Sequence, residues 1–143
     1  MVMMFKKIIF AANSKAFSLK ETLKAWAQSQ HIAFEDIGAQ NEEDPKTVAG
    51  LAQEMAEKLK NSSDTCGVAL CGSGLGMSIE MNRYPVIRAA FCNEPKFAKI
   101  ARARQEANVL VLSGKLMPEE RAIETLALFL NTSSERDVPQ KQA

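Results

Sequence analysis

Apolar residues follow two rhythms along this chain. Five short runs, Lys7 to Ala12, Ile32 to Ile37, Thr65 to Leu70, Val86 to Phe91 and Ala107 to Leu112, have the length and composition of strands. Between them, apolar positions recur three and four apart. Leu19, Leu23, Trp26 and Ala27 do so within Phe17 to Gln28, as do Val48, Leu51, Ala52, Met55 and Leu59, and Ile123, Leu126, Ala127 and Leu130 after Pro118. That spacing predicts amphipathic helices. A short helix is expected from about Met77 to Met81, and another from Pro95 to about Arg104. Asp44 before Pro45 reads as an N-cap with proline at the first helical position. Strands alternating with helices require right-handed crossovers and a parallel sheet covered on both faces. The predicted fold class is therefore α/β, a Rossmann-like three-layer α/β/α sandwich with a five-stranded parallel sheet.

In such sheets ligands bind beyond the carboxyl ends of the strands, and Asn13, Cys71, Asn93 and Ser113 fall just past predicted strand ends. The most informative segment runs from Gly67 to Ser78, where a strand delivers Cys71 onto a glycine-rich turn that opens a helix. Gly72, Gly74 and Gly76 let the backbone bend and aim several N–H groups at one point, where the helix dipole adds positive potential. The same field favours a thiolate. Met77 stands where a dinucleotide fingerprint needs its third glycine, and the Lys-Ser/Thr pair of a P-loop is missing.

With 143 residues and 46% hydrophobic content the chain supports one core. The expected organisation is a single domain over residues 1–132, followed by a polar tail over 133–143 that is disordered in isolation and able to dock on a partner subunit. A net charge of +1, one tryptophan and one tyrosine argue against a nucleic-acid partner. No apolar run is long enough for a membrane span, and the expected location is cytoplasmic. Cys66, Cys71 and Cys92 are odd in number and lack paired C-x-x-C spacing, so neither disulfides nor a structural metal are indicated. Cys66 and Cys92 read as core residues. His31, the single histidine, reads as a surface residue at the end of the sheet opposite Cys71.

The run Cys71-Gly72-Ser73-Gly74-Leu75-Gly76-Met77-Ser78-Ile79, with Asn82-Arg83, Ile87-Arg88-Ala89-Ala90, Cys92, Glu94-Pro95 and Ala107-Asn108-Val109-Leu110, resembles the type B ribose-5-phosphate isomerases. Those enzymes share a family with the lactose-pathway galactose-6-phosphate isomerase subunits. The resemblance implies reversible aldose–ketose conversion of a phosphorylated sugar, without metal or organic cofactor. It also implies a homodimer, or a dimer of dimers, with sites between subunits. Cys71 would move the proton between the two carbons, with Ser73 beside it. Backbone N–H groups of Gly72, Gly74, Leu75 and Gly76 would stabilise the enediolate. Matching positions make Asn13, Ser14, Arg104, Gln105, Lys115 and Arg136 the substrate-binding candidates. Asn82 and Arg88 match family positions too, and each either fixes the loop and strand that support Cys71 or contacts substrate.

Several positions depart from the family pattern. Asn13-Ser14 stands for Asp-His after the first strand, and Arg104-Gln105-Glu106 covers the position of a histidine thought to open the furanose ring, a task an arginine cannot perform as a base. Arg104 could instead bind an anion or be a solvated helix-end charge. Asp44 replaces a tyrosine. Ser113-Gly114-Lys115 replaces Gly-Gly-Arg, keeping a cation without bidentate geometry. Asp137 and Gln140 replace a histidine and an arginine of a tail that reaches phosphate across the dimer. Two functions follow: an isomerase acting through Cys71, or an impaired relative that binds a sugar phosphate or serves as a partner or regulatory subunit.

Overall fold

A computed structural model of the chain describes residues 4–135. The strands are β1 (Lys7–Ala12), β2 (Ala33–Asp36), β3 (Thr65–Cys71), β4 (Ala89–Phe91) and β5 (Val109–Ser113). The helices are α1 (Phe17–Ser29), α2 (Val48–Leu59), α3 (Leu75–Met81), α4 (Pro95–Gln105) and α5 (Glu119–Asn131), and a 3-10 turn at Ser14–Ala16 leads into α1. The strands form one parallel sheet in the order β2-β1-β3-β5-β4. The chain moves outward from β1 to β2 and then crosses to β3 on the other side, so β1 and β3 flank the switch point, where the carboxyl ends of an open α/β sheet leave a crevice.

Alternation along the strands divides the core in two. Ile8, Phe10, Val68, Leu70, Leu110 and Leu112 face α1, α4 and α5, whereas Ile9, Ala11, Ala69, Cys71, Val109 and Val111 face α2 and α3. Near-continuous apolar runs are what a parallel sheet buried on both faces requires. The expected three-layer α/β/α sandwich is the observed fold. No helix among the described residues is long and apolar enough to cross a membrane.

Two local expectations are corrected by side-chain hydrogen bonds. The second helix begins at Val48, because Thr47 Oγ1 accepts the Gly50 N–H at 3.0 Å. Asp44 instead accepts the N–H groups of Gln40 (2.9 Å) and Lys46 (3.3 Å) and closes the preceding loop. The fourth strand is only three residues long. Asn108 accepts the Arg88 N–H at 2.7 Å and donates to Val86 O at 2.8 Å, taking that backbone away from the sheet. Asn82 pairs both polar groups of Ala89, at 2.8 and 2.9 Å, and so caps the exposed edge of β4. Of the expected tail, residues 133–135 are described, and Ser134 is 2% exposed. From Arg136 onward the tail lies outside the described residues.

Candidate active site

Cys71 ends β3, pairs in register with Ser113 and is 5% exposed. Gly74 takes φ +90°, and the resulting turn brings its N–H to 3.2 Å from Cys71 Sγ. The sulfur thus accepts a backbone donor from its own turn. A Cβ at Gly74 would lie 2.4 Å from Phe91 Cε1, so backbone angle and packing both demand glycine there. Gly76 has open space where a Cβ would sit.

The neighbouring loops are fastened to this turn. The Ser113 hydroxyl donates to Gly72 O at 2.6 Å and accepts the Leu116 N–H at 3.1 Å. Gly114 N donates to Cys71 O at 2.8 Å, and Lys115 N to Gly72 O at 3.1 Å. Pairing between β3 and β5 thus continues past the strands and holds Lys115 beside the cysteine turn. A Cβ built on Gly72 would be 3.6 Å from Lys115 Cε and 3.7 Å from Lys15 Cβ. Two cationic side chains from two loops therefore flank Gly72. Lys15 was absent from the sequence-based candidates. The available signal was a cation three residues past the carboxyl end of β1, the strand beside β3.

Asn13 and Ser14, both half-buried, stand at that same end. Asn13 N donates to Leu70 O at 3.3 Å, and its buried Oδ1 has no partner among the described residues, leaving an acceptor for a ligand hydroxyl. Ser73 is exposed, and its oxygen accepts the Leu75 N–H at 3.1 Å, so its O–H remains to donate. Two of the four expected enediolate donors already have partners. The Gly74 amide serves sulfur and the Leu75 amide serves Ser73, whereas the Gly72 and Gly76 amides have no backbone partner among the described residues.

Arg104 and Gln105 do not join Cys71 within the chain. Val109 pairs with Gly67 at the start of β5, and α4 runs from the carboxyl end of β4 back to that opposite end. There Arg88 Nε donates to Glu106 O at 2.9 Å and Arg102 to Ala107 O at 2.7 Å, both holding the C-terminal end of α4. A cavity of about 460 Å³ lies at this end, lined by Phe5, Asp64, Arg88, Arg102, Asn108 and Ser134 and away from Cys71. His31 is here too, exposed, with φ 58° in the turn that ends α1. Arg136 lies outside the described residues.

The three cysteines sit in different surroundings. Burial pushes the Cys66 thiol up to about 12, against the opposing charge of Arg102, and burial alone pushes Cys92 up to about 12. Beyond β2, Lys20 is fully buried and donates to Asp36 (2.7 Å) and to Ala39 O, while Lys24 donates to Asp36 (2.7 Å). Burial opposes ionisation of Asp36, yet Lys20, Lys24 and the Gly38 N–H together hold its carboxyl below the ordinary aspartate range. This cluster pins the loop after β2 against the end of β1, where Ala39 N donates to Ala12 O at 2.8 Å.

Comparison with known proteins agrees with this fold. A curated relative, 4-deoxy-4-sulfo-D-erythrose isomerase of a Clostridium species, is 29% identical over 126 residues, covering 88% of this chain and 79% of its own. The crystal structure of a ribose 5-phosphate isomerase from Thermotoga maritima superposes with a TM-score of 0.84 at 40% identity, covering 92% of this chain and 94% of that one. Ribose-5-phosphate isomerase B from Mycoplasma genitalium, solved with bound ribulose-5-phosphate, gives a TM-score of 0.86 at 27% identity, covering 94% and 88%. The sequence pattern of the family described as Ribose/Galactose Isomerase matches residues 8–143. The parallel sheet, the cysteine at its switch point and this match across nearly the whole chain place the protein in the ribose/galactose isomerase family of enzymes.

Proposed function

We propose that the protein interconverts an aldose and a ketose bearing a terminal anion, with Cys71 as the group that moves the proton. The observation that carries this reading is the Gly74 N–H on Cys71 Sγ at 3.2 Å, at the carboxyl end of the central strand. Cys71 as thiolate takes the proton from C2 of the aldose, the electron pair forms the C1=C2 bond, and the carbonyl oxygen takes up negative charge. A proton passes from the C2 hydroxyl to the C1 oxygen, and the thiol returns its proton to C1 as the C2 carbonyl forms. C2 is oxidised and C1 reduced, so no outside oxidant or reductant enters. The Gly72 and Gly76 amides and the Ser73 hydroxyl are the donors for the developing charge.

The sugars named for the relatives, a sulfonated erythrose, ribose 5-phosphate and ribulose 5-phosphate, share an anion at one end of the chain. Lys15 and Lys115 suit such a group. The functional unit in this reading is a homodimer. Leu75, Ile79 and Leu116 are 60%, 61% and 70% exposed around the cysteine turn, an apolar rim that a second copy would cover. Arg104 and Gln105 also need a second copy to approach a Cys71.

The test is deuterium uptake into candidate sugar phosphates in heavy water, followed by NMR beside Cys71→Ala. Uptake that disappears in the variant is the expected result. Uptake that survives the variant, or no uptake with any sugar tested, overturns the proposal.

A further inference from the structure

We propose that the sugar which reaches Cys71 is acyclic: its aldose form cannot close a furanose ring, because the hydroxyl that would close it is absent or substituted. A four-carbon sugar carrying its anion on C4 is the simplest member of this class. The inference rests on the isomerase reading and adds the form of the substrate.

A furanose must open before C2–H becomes acidic. Opening removes a proton from the anomeric hydroxyl, breaks the bond between C1 and the ring oxygen, and delivers a proton to that oxygen. Catalysing it near neutral pH needs a side chain that both accepts and releases a proton there, which is the property of histidine. The chain has one histidine, His31. It is exposed in the turn between α1 and β2, and β2 begins at Ala33, which pairs with Lys7 at the amino end of the sheet. Cys71 is six residues along β3 from Thr65, the residue paired with Lys7. At about 3.3 Å per residue this separates the two ends of the sheet by about 20 Å. A second copy of the chain brings no histidine except another His31.

What surrounds Cys71 is of a different kind. Asn13, Ser14, Ser73 and Ser113 offer an amide and hydroxyls, and Lys15 and Lys115 offer ammonium groups, a set of hydrogen-bonding and cationic groups without an imidazole. The strand-end carboxylates at this side, Asp36 and Glu94, follow or end the edge strands β2 and β4. Each edge is two strands from β3, about 10 Å at ordinary strand spacing. Asp36 is further committed to Lys20, Lys24 and the Gly38 N–H. Cys71 itself is used on the C–H proton. Among the described residues the site is thus furnished for proton transfer at an open carbonyl and for a terminal anion, with no histidine to open a ring.

The experiment uses the full chain with erythrose 4-phosphate, ribulose 5-phosphate and ribose 5-phosphate. The first two are acyclic because the hydroxyl needed for a furanose carries the phosphate, whereas ribose 5-phosphate closes through O4. Conversion and deuterium uptake are followed by NMR at rising enzyme concentration, and ring opening of ribose 5-phosphate is measured without enzyme by saturation transfer. A tenfold rise in enzyme should raise flux from an acyclic sugar about tenfold, while flux from ribose 5-phosphate levels off at the spontaneous opening rate, gaining less than about twofold. Ribose 5-phosphate flux that climbs past that ceiling in proportion to enzyme overturns the inference. So does a His31→Asn variant that loses ribose 5-phosphate conversion while keeping erythrose 4-phosphate conversion. No uptake with any of the three sugars is the separate signature that the isomerase reading itself has failed, and it removes this inference with it.

Discussion

Gly74→Ala tests whether the turn that presents Cys71 depends on the absence of a side chain. At φ +90° an L-residue meets its own backbone, at a cost of about 1–2 kcal/mol. The new methyl would also lie 2.4 Å from Phe91 Cε1 and 2.7 Å from Cδ1. The half-buried ring must swing away, and overpacking of this kind costs about 1–3 kcal/mol. The sum, about 2–5 kcal/mol, is to be read from equilibrium urea unfolding followed by circular dichroism. Phe91→Ala separates the two contributions. In the double variant the steric part should vanish, so the combined loss falls short of the sum of the single losses by about 1–3 kcal/mol. The displaced turn also withdraws the N–H now on the Cys71 sulfur. A single variant within about 0.5 kcal/mol of the parent, or strictly additive losses, would refute this account of the turn.

Other variants address the frame around the site. In His31→Gly, relief of the left-handed conformation at the end of α1 should raise stability by about 0.5–1 kcal/mol, read as a higher melting temperature; a lower one contradicts the cap assignment. Thr47→Ala should cost about 1 kcal/mol in urea unfolding, with Asp44→Ala costing less; the reverse order would restore Asp44 as the helix cap. Mass spectrometry after brief iodoacetamide treatment at pH 8 should find label on Cys71, with Cys66 and Cys92 unmodified because burial keeps their thiols protonated up to about 12. Asp36→Asn should cost about 3 kcal/mol at neutral pH by leaving buried Lys20 short of its counter-charge. Because folding lowers the Asp36 pKa, its contribution is present above the unfolded aspartate value and is lost as pH falls through the folded one. The gap between parent and variant should therefore close in acid, and a gap that widens there would reverse the assigned direction.

Much of this molecule was readable from hydrophobic period alone, since a two-sided parallel sheet writes its strands as short apolar runs and its helices as three-and-four spacing. Polar side chains that replace backbone partners were harder to see. Asn108 takes the backbone of Val86 and Arg88 out of the fourth strand, and Thr47 outcompetes the Asp44-Pro45 pair as a cap. Both are choices among local hydrogen bonds, and residue type alone does not rank them. Lys15 escaped for a related reason. Its place beside Gly72 is set by the 3-10 turn after β1 and by the close approach of Gly114 to Ala16, whose Cβ would stand 2.5 Å from one added at Gly114.

The placement of Arg104 and Gln105 was latent in the same pattern. A residue just before a parallel strand must lie at the amino end of the sheet, and one just after a strand must lie at the carboxyl end. An eleven-residue helix such as α4 carries the chain about 16 Å back between those ends. Matching family positions one by one preserves residue type and discards this polarity. Asn13, Ser14, Cys71 and Lys115 all follow strands and gather at the switch point; Arg104 and Gln105 precede one and cannot. A chemistry that needs residues from both groups at one carbon atom is therefore a chemistry of two copies of the chain, whereas the proposed proton transfer by Cys71 beside Lys15 and Lys115 draws on a single copy.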